Sequence, residues 1–499
     1  MIFSSWQFIL IFLPISFFVY FWLNHRRLVT AGKVWLVAIS LFFYAYWDIH
    51  YLPLILGSIF LNFAIGTGLA QAQQQARECV RQSRHAVNRK IVLMLGIAAN
   101  LVLLGYFKYT DFFLNNINAV FGSGYPLQNI LLPLAISFFT FTQIVYLVDS
   151  YRGETAEYDL LNYALFVTFF PHLIAGPIVH HRQIMPQFAS RWTLIRRYPN
   201  IVKGLFIFAI GLFKKVVIAD SFAVWATAGF DGGHELGFFE AWATSLSYTF
   251  QLYFDFSGYC DMAIGASLLF NIWLPINFNS PYKALSIQDF WRRWHITLSH
   301  FLRDYLYIPL GGNRSGSFRT YSNLLATFVL GGLWHGATWM FVIWGGLHGS
   351  ALVVHRLWAQ LRRPMPAMLG WFLTFMFVNI TWVFFRAKTL DDAKRVLGGM
   401  FDFQSISGRA TTSKLVSDLA WGGWSSDMLL NIMPSTLVGQ LPIFVAIMIA
   451  FAITAQKNSL EMASGTIGRW RLAYGAVLFS VAMCFTLAAT SSVFLYFNF

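Results

Sequence analysis

Apolar residues in this chain run in long unbroken blocks rather than alternating with polar ones. Charge-free runs cover residues 1–24, 51–76, 91–107, 112–148, 262–282, 367–385, 428–456 and 472–499. Most are near or above the roughly 20 residues that a helix needs to cross a bilayer core, and shorter apolar segments lie between them. Backbone immersed in lipid must satisfy its hydrogen bonds internally, so each long run predicts a helix. The pattern therefore predicts an all-α polytopic membrane protein with roughly ten to thirteen membrane segments. No internal repeat, low-complexity tract or linker interrupts it, and residues 1–499 read as a single domain.

Composition agrees with the pattern. Of 499 residues, 57% are hydrophobic and only 11% charged, against about 25% charged in soluble domains. The net charge of +14 is explained by the positive-inside rule, with the lipid bilayer and not nucleic acid as the partner of the basic residues. Residues 25–33 and 77–90 are both basic and predict cytoplasmic loops, so the segment between them is a membrane hairpin. The first run begins at Met1 without a basic leader and ends in His25-Arg26-Arg27, as expected of an uncleaved first span. Alternation then puts residues 386–427 and both termini on the extracytoplasmic side. Cys79, Cys260 and Cys484 are isolated in sequence, without the spacing of a disulfide framework or a metal site.

Two regions depart from simple spans. Residues 283–319 carry Lys283, Arg292, Arg293, Arg303, Arg314 and Arg319 against Asp289 and Asp304. Trp291, Trp294, Leu298, Leu302 and Tyr305 recur there at three- and four-residue steps, which predicts an amphipathic helix in the interface, ended by the turn Gly311-Gly312-Asn313. Its arginines have the reach to meet headgroups or the phosphates of a cytosolic ligand. Residues 320–354 have basic residues at both edges, which predicts a short or re-entrant hairpin with arms of about 15 to 17 residues and His335 near its tip. Gly331, Gly332, Gly336, Gly345 and Gly346 are expected to let its backbones pack closely.

His335 stands out among twelve histidines because no charged residue occurs from Thr320 to Leu347. A neutral imidazole in such a surround suits a general base, while a core histidine bonded to a neighbouring carbonyl is the competing reading. His348 is a weaker candidate, and His295 lies on or beside the aromatic face of the amphipathic helix. His300 and Asp304 have the spacing of an interfacial pair on a helix. His25, His50, His85, His172, His180, His181, His234 and His355 lie near charges or run ends, where interfacial histidines are expected. Serine-hydrolase, P-loop, zinc-protease and dinucleotide motifs are absent.

The segments FWRRWHITLS (residues 290–299), RDYLYIPLGGNR (303–314), LWHGATW (333–339) and WGGLHG (344–349) resemble, in order and spacing, the membrane-bound O-acyltransferase family. The resemblance is nearest to its bacterial branch for alginate O-acetylation and teichoic-acid D-alanylation. It extends from the MIFSSWQFILIFLP start to the FLYFNF end, with the motif-bearing core at about residues 283–355. It implies a ring of helices with short re-entrant and interfacial pieces around a central tunnel. His335 corresponds to the family's near-invariant histidine and His295 to the second polar position of this branch, and the resemblance implies catalytic roles for both. Trp334, Asp304 and His348 are supporting residues, and Lys283, Arg292, Arg293 and Arg303 are candidates for the donor's phosphates.

The resemblance also implies an activity. An acetyl group would pass from a cytosolic thioester, acetyl-CoA, to an exported or cell-wall polysaccharide such as alginate, with no bound cofactor and no metal. Tyr496, in the aromatic tail 494–499, would receive the acetyl and hand it to an extracytoplasmic esterase-like (SGNH-type) acetyltransferase, or else would anchor the tail in the interface. The setting is a bacterial cytoplasmic (inner) membrane. A transporter or channel for the acyl donor or polysaccharide, and a scaffold that recruits the partner, are the alternative classes.

Overall fold

The computed structural model describes residues 1–78, 88–154, 159–174, 176–406, 435–488 and 495. Cys79, His85, most of the basic segment 77–90, residues 428–434 of one apolar run and the tail residue Tyr496 lie outside the described residues. Among the described residues every regular element is helical. Among the described residues five helices are long and apolar enough to cross a membrane: Phe8–His25, Ile49–Gln73, Arg89–Phe121, Ala367–Arg386 and Arg469–Ala488. Val29–Ala45 and Gly439–Thr454 are shorter apolar helices. Large apolar side chains stand outward on these helices, as Val102 does at 70% exposure and Met368 at 82%. Surfaces of that kind belong against lipid tails. The chain is an all-α polytopic membrane protein.

The helices gather into two compact units. One comprises Met1–Phe213, Gly258–Asn277 and Ala463–Phe499; the other comprises Lys214–Ser257 and Phe278–Met462. In the first unit a polar ladder ties apolar helices together. The amides of Asn62 and Asn100 bond reciprocally, at 3.2 and 2.6 Å. One helix further on, Gln143 Nε2 donates to Ser58 Oγ at 2.8 Å, and Tyr163 OH donates to Gln143 Oε1 at 3.4 Å. Interhelical hydrogen bonds of this kind hold membrane helices that have no hydrophobic force between them. Asn100→Leu is expected to destabilise the chain by about 1 kcal/mol, read as a lower unfolding midpoint in detergent. An unchanged midpoint would mean that the amide pair contributes nothing.

The structure redraws three sequence expectations. Residues 91–107 and 112–148 were expected as separate runs, yet Arg89–Phe121 is one 33-residue helix that carries Lys108 and Asp111 within it. A second helix, Ile136–Arg152, takes up the rest of the later run. The run 262–282 begins as the end of a 32-residue helix, Phe238–Leu269, and continues as irregular chain into a short 3-10 helix, Pro281–Lys283. Asp255 interrupts the apolar sequence within the longer helix, but in the fold it is 1% exposed and its carboxylate sits 2.7 Å from Lys215 Nζ. Asp220 lies 2.8 Å from the same ammonium. A buried charge is retained where an opposite charge meets it, and composition along a single helix does not reveal that partner.

The third difference concerns residues 287–307. In place of one amphipathic helix there are two seven-residue helices, Ile287–Arg293 and Ile296–Leu302, followed by a π-helical turn at Arg303–Tyr307. Ser286 caps the first, its hydroxyl accepting from Asp289 N at 3.1 Å. The expected turn does end the segment, with Gly311 and Gly312 both at positive φ. After it come Gly316–His335 and Trp339–Gln360, which pack as a helical hairpin. Its arms are longer than predicted, 20 and 22 residues, because both helices continue past the basic residues that mark the edges of the apolar stretch.

Candidate active site

The break between the two short helices places His295. Its backbone adopts φ 41°, ψ 55°, the left-handed region that non-glycine residues seldom enter. That reversal turns the imidazole inward, where it is fully buried. Phe256 meets it edge-on at 4.8 Å and Trp334 lies 6.3 Å away, between ring centroids. His295 lies outside the candidate spans, and burial pushes its pKa down to about 3, so the ring is neutral at any physiological pH.

His335 is the last residue of its helix, and the extended Gly336 follows it at the hairpin tip. The side chain is 4% exposed. Its ring stands 4.9 Å from Trp334, 5.2 Å from Trp344 at 88°, and 5.1 Å from Phe385. Trp334 thus touches both His295 and His335, and these two histidines share one aromatic wall. Glycine shapes the approach as expected at several positions. A Cβ on Gly332 would lie 2.2 Å from Phe341 O, one on Gly345 2.3 Å from Phe328 O, and one on Gly336 would enter the Phe341 ring. Gly331 faces the Leu302 side chain instead, and Gly346 faces open space.

His348 is fully buried and bonded at both ring nitrogens. The Trp291 indole can only donate, so its 3.2 Å bond to Nδ1 leaves the proton on Nε2. Nε2 then donates to Thr381 Oγ1 at 3.0 Å, and Thr381 donates onward to the Val378 carbonyl at 2.9 Å. With both nitrogens engaged, His348 is locked in one tautomer and positions its neighbours: Trp344 lies 4.7 Å from it and Trp382 6.2 Å.

Three of the four candidate donor-binding residues already have partners. Lys283 Nζ donates to the Gln456 carbonyl at 2.6 Å, Arg293 Nε to Asp289 at 2.9 Å, and Arg303 to both Asp304 oxygens at 2.6 and 2.9 Å. Arg292 is exposed. Sequence reasoning passed over Trp382, Phe385, Phe256 and Thr381, whose only signal was membership of apolar runs or of the polar-interrupted helix 238–269. It also placed His172 and His181 at interfaces, whereas they are buried, 5% and 6% exposed, within the first unit. Among the described residues no cluster of His, Cys, Asp and Glu could hold a metal ion.

Chemically, the site offers buried imidazoles in an aromatic surround, suited to moving a proton without bulk water. The pattern defining the membrane-bound O-acyltransferase family matches residues 39–390, which include both the His295 and His335 segments. The chain is 47% identical to a peptidoglycan O-acetyltransferase of Helicobacter pylori, over 100% of this chain and 98% of that protein. It is 42% identical to a probable alginate O-acetylase AlgI of Pseudomonas aeruginosa, over 81% of this chain and 75% of that protein. A teichoic acid D-alanyltransferase of Streptococcus thermophilus is 29% identical over 52% and 69% of the two chains.

Proposed function

The chain belongs to the membrane-bound O-acyltransferase family, and on that premise we propose that it moves an acetyl group from cytosolic acetyl-CoA toward O-acetylation of a cell-wall or exported polysaccharide. The observation that carries this reading is the placement of His335 and His295 against the same ring, Trp334, both of them buried and screened from water. Likeness over the whole chain to a peptidoglycan O-acetyltransferase favours a cell-wall glycan as the eventual acceptor over alginate, to whose acetylases the likeness covers less of the chain.

In this reading His335 takes the proton from the attacking hydroxyl, the oxygen joins the thioester carbonyl carbon, and the C–S bond breaks. The departing thiolate recovers the proton from His335, so the imidazole ends neutral. His295 orients or polarises the thioester carbonyl. Exclusion of water matters because hydrolysis competes for the same thioester. The setting is the bacterial inner membrane, with the donor's phosphates near Arg292 and both termini outside. The hydroxyl is that of Tyr496, which passes the acetyl to an extracytoplasmic esterase-like partner.

The test uses purified full-length chain in vesicles with labelled acetyl-CoA. Thioester cleavage with label on Tyr496 is expected. Intact acetyl-CoA crossing the vesicle without cleavage would replace the enzyme by a transporter. A Tyr496→Phe chain that keeps full transfer to the partner, with no label on the tail, would remove the tyrosine relay while leaving the acyltransferase in place.

A further inference from the structure

Trp344 holds a buried hydrogen-bond donor that no described residue uses. Its side chain is 1% exposed, and its Nε1–H has no acceptor among the described residues. Three indoles of the same unit find acceptors: Trp242 donates to the Met400 carbonyl at 2.9 Å, Trp371 to the Tyr282 carbonyl at 2.9 Å, and Trp291 to His348 at 3.2 Å; Trp382 Nε1, stacked on Trp344, shares the lack of one. An indole nitrogen only donates, so whatever satisfies Trp344 is an acceptor that the described residues do not supply.

Its position says which acceptor. The Trp344 ring stands 5.2 Å from His335, nearly perpendicular to it, and is backed by His348 at 4.7 Å. His348 in turn is held at both nitrogens by Trp291 and Thr381, so the indole has little freedom to turn. When an alkoxide attacks a thioester, negative charge appears on the carbonyl oxygen. In a dry aromatic site no water can reorient toward that charge, and a donor already in place is worth most there.

We propose that the Trp344 Nε1–H donates to the carbonyl oxygen of the acyl thioester as it becomes an oxyanion, making Trp344 a catalytic residue alongside His335. The inference rests on the reading that His335 serves as base in thioester cleavage. During the step the new C–O bond forms as the carbonyl π pair moves onto oxygen, where Trp344 stabilises it. That pair returns as the C–S bond breaks, and His335 returns its proton to the thiolate. Trp344 neither gains nor loses a proton.

Two replacements separate the donor from the shape: Trp344→Phe, and substitution by 3-benzothienylalanine, which keeps the bicyclic outline but puts sulfur in place of N–H. With full-length chain and acetyl-CoA as the probe, kcat is expected to fall about 100-fold or more in both. KM for acetyl-CoA and the unfolding midpoint should stay near the parent's, because the lost bond forms only in the transition state. The benzothienyl chain keeping kcat within about threefold of the parent would overturn the proposal, as would a loss seen mainly in KM. The parent and His335→Ala chains are run beside them. A parent that cleaves no thioester overturns the reaction itself, whereas an active parent with an equally active isostere overturns only the donor assignment.

Discussion

His335→Ala is expected to lower thioester turnover by about 1000-fold while the chain still folds, which places the loss in chemistry rather than assembly. The expected size follows from the base role. A positioned base contributes roughly 10²- to 10⁴-fold, and removing it leaves whatever donor binding and oxyanion stabilisation remain. The fold should survive because His335 ends its helix at the hairpin tip, and the hairpin below is held by backbone contact at Gly332 and Gly345. Alanine does open a hole among Trp334, Trp344 and Phe385, so His335→Gln, which fills most of it without supplying a base, is the companion. Both variants should be equally inactive, with unfolding midpoints near the parent's. Activity within about tenfold of the parent in His335→Gln would return His335 to the core-histidine reading.

The largest expected effect on stability comes from two adjacent glycines with opposite surroundings. A Cβ at Gly345 would sit 2.3 Å from Phe328 O and 3.0 Å from Val329 Cα, backbone atoms of the facing helix that cannot swing aside. The helices must separate to admit it, and the reciprocal approach at Gly332, where a Cβ would meet Phe341 O at 2.2 Å, opens with them. Gly345→Ala is expected to cost about 3 kcal/mol and to abolish turnover by displacing His335 from Trp344. Gly346 has nothing within 4 Å of its Cβ position. Gly346→Ala should be neutral or gain about 0.5 kcal/mol from helix propensity, with full activity. Unfolding midpoints for the two purified variants decide the matter. Equal stability would mean that the hairpin tolerates separation and that close backbone packing does not hold His335 in place.

Much of the candidate site was legible in sequence where the signal was local. The apolar surround of His335 and the basic residues at both edges of 320–354 predicted a hairpin with this histidine near the tip, and the structure has it there. Legibility failed at His295. Three- and four-residue recurrence from Trp291 to Tyr305 reads as one helix whether or not a single residue turns left-handed, because periodicity registers side-chain spacing and not the sign of φ. It also failed wherever charge is cancelled across space. Asp255 interrupts the apolar sequence of the helix Phe238–Leu269, and nothing beside it in sequence reveals that Lys215 will meet it.

The sequence by itself determined that the chain is a helical membrane protein, which helices run through uncharged surroundings, and which four motifs carry its family likeness. These depend on residue type and spacing along one strand of chain, and hydrophobicity acts at that range. Only the tertiary structure decided that His295 faces inward, that Trp334 touches both histidines, that His348 is bound at both nitrogens and that the Trp344 donor finds no acceptor among the described residues. Each of those is a relation between side chains from different helices, set by where one backbone can approach another.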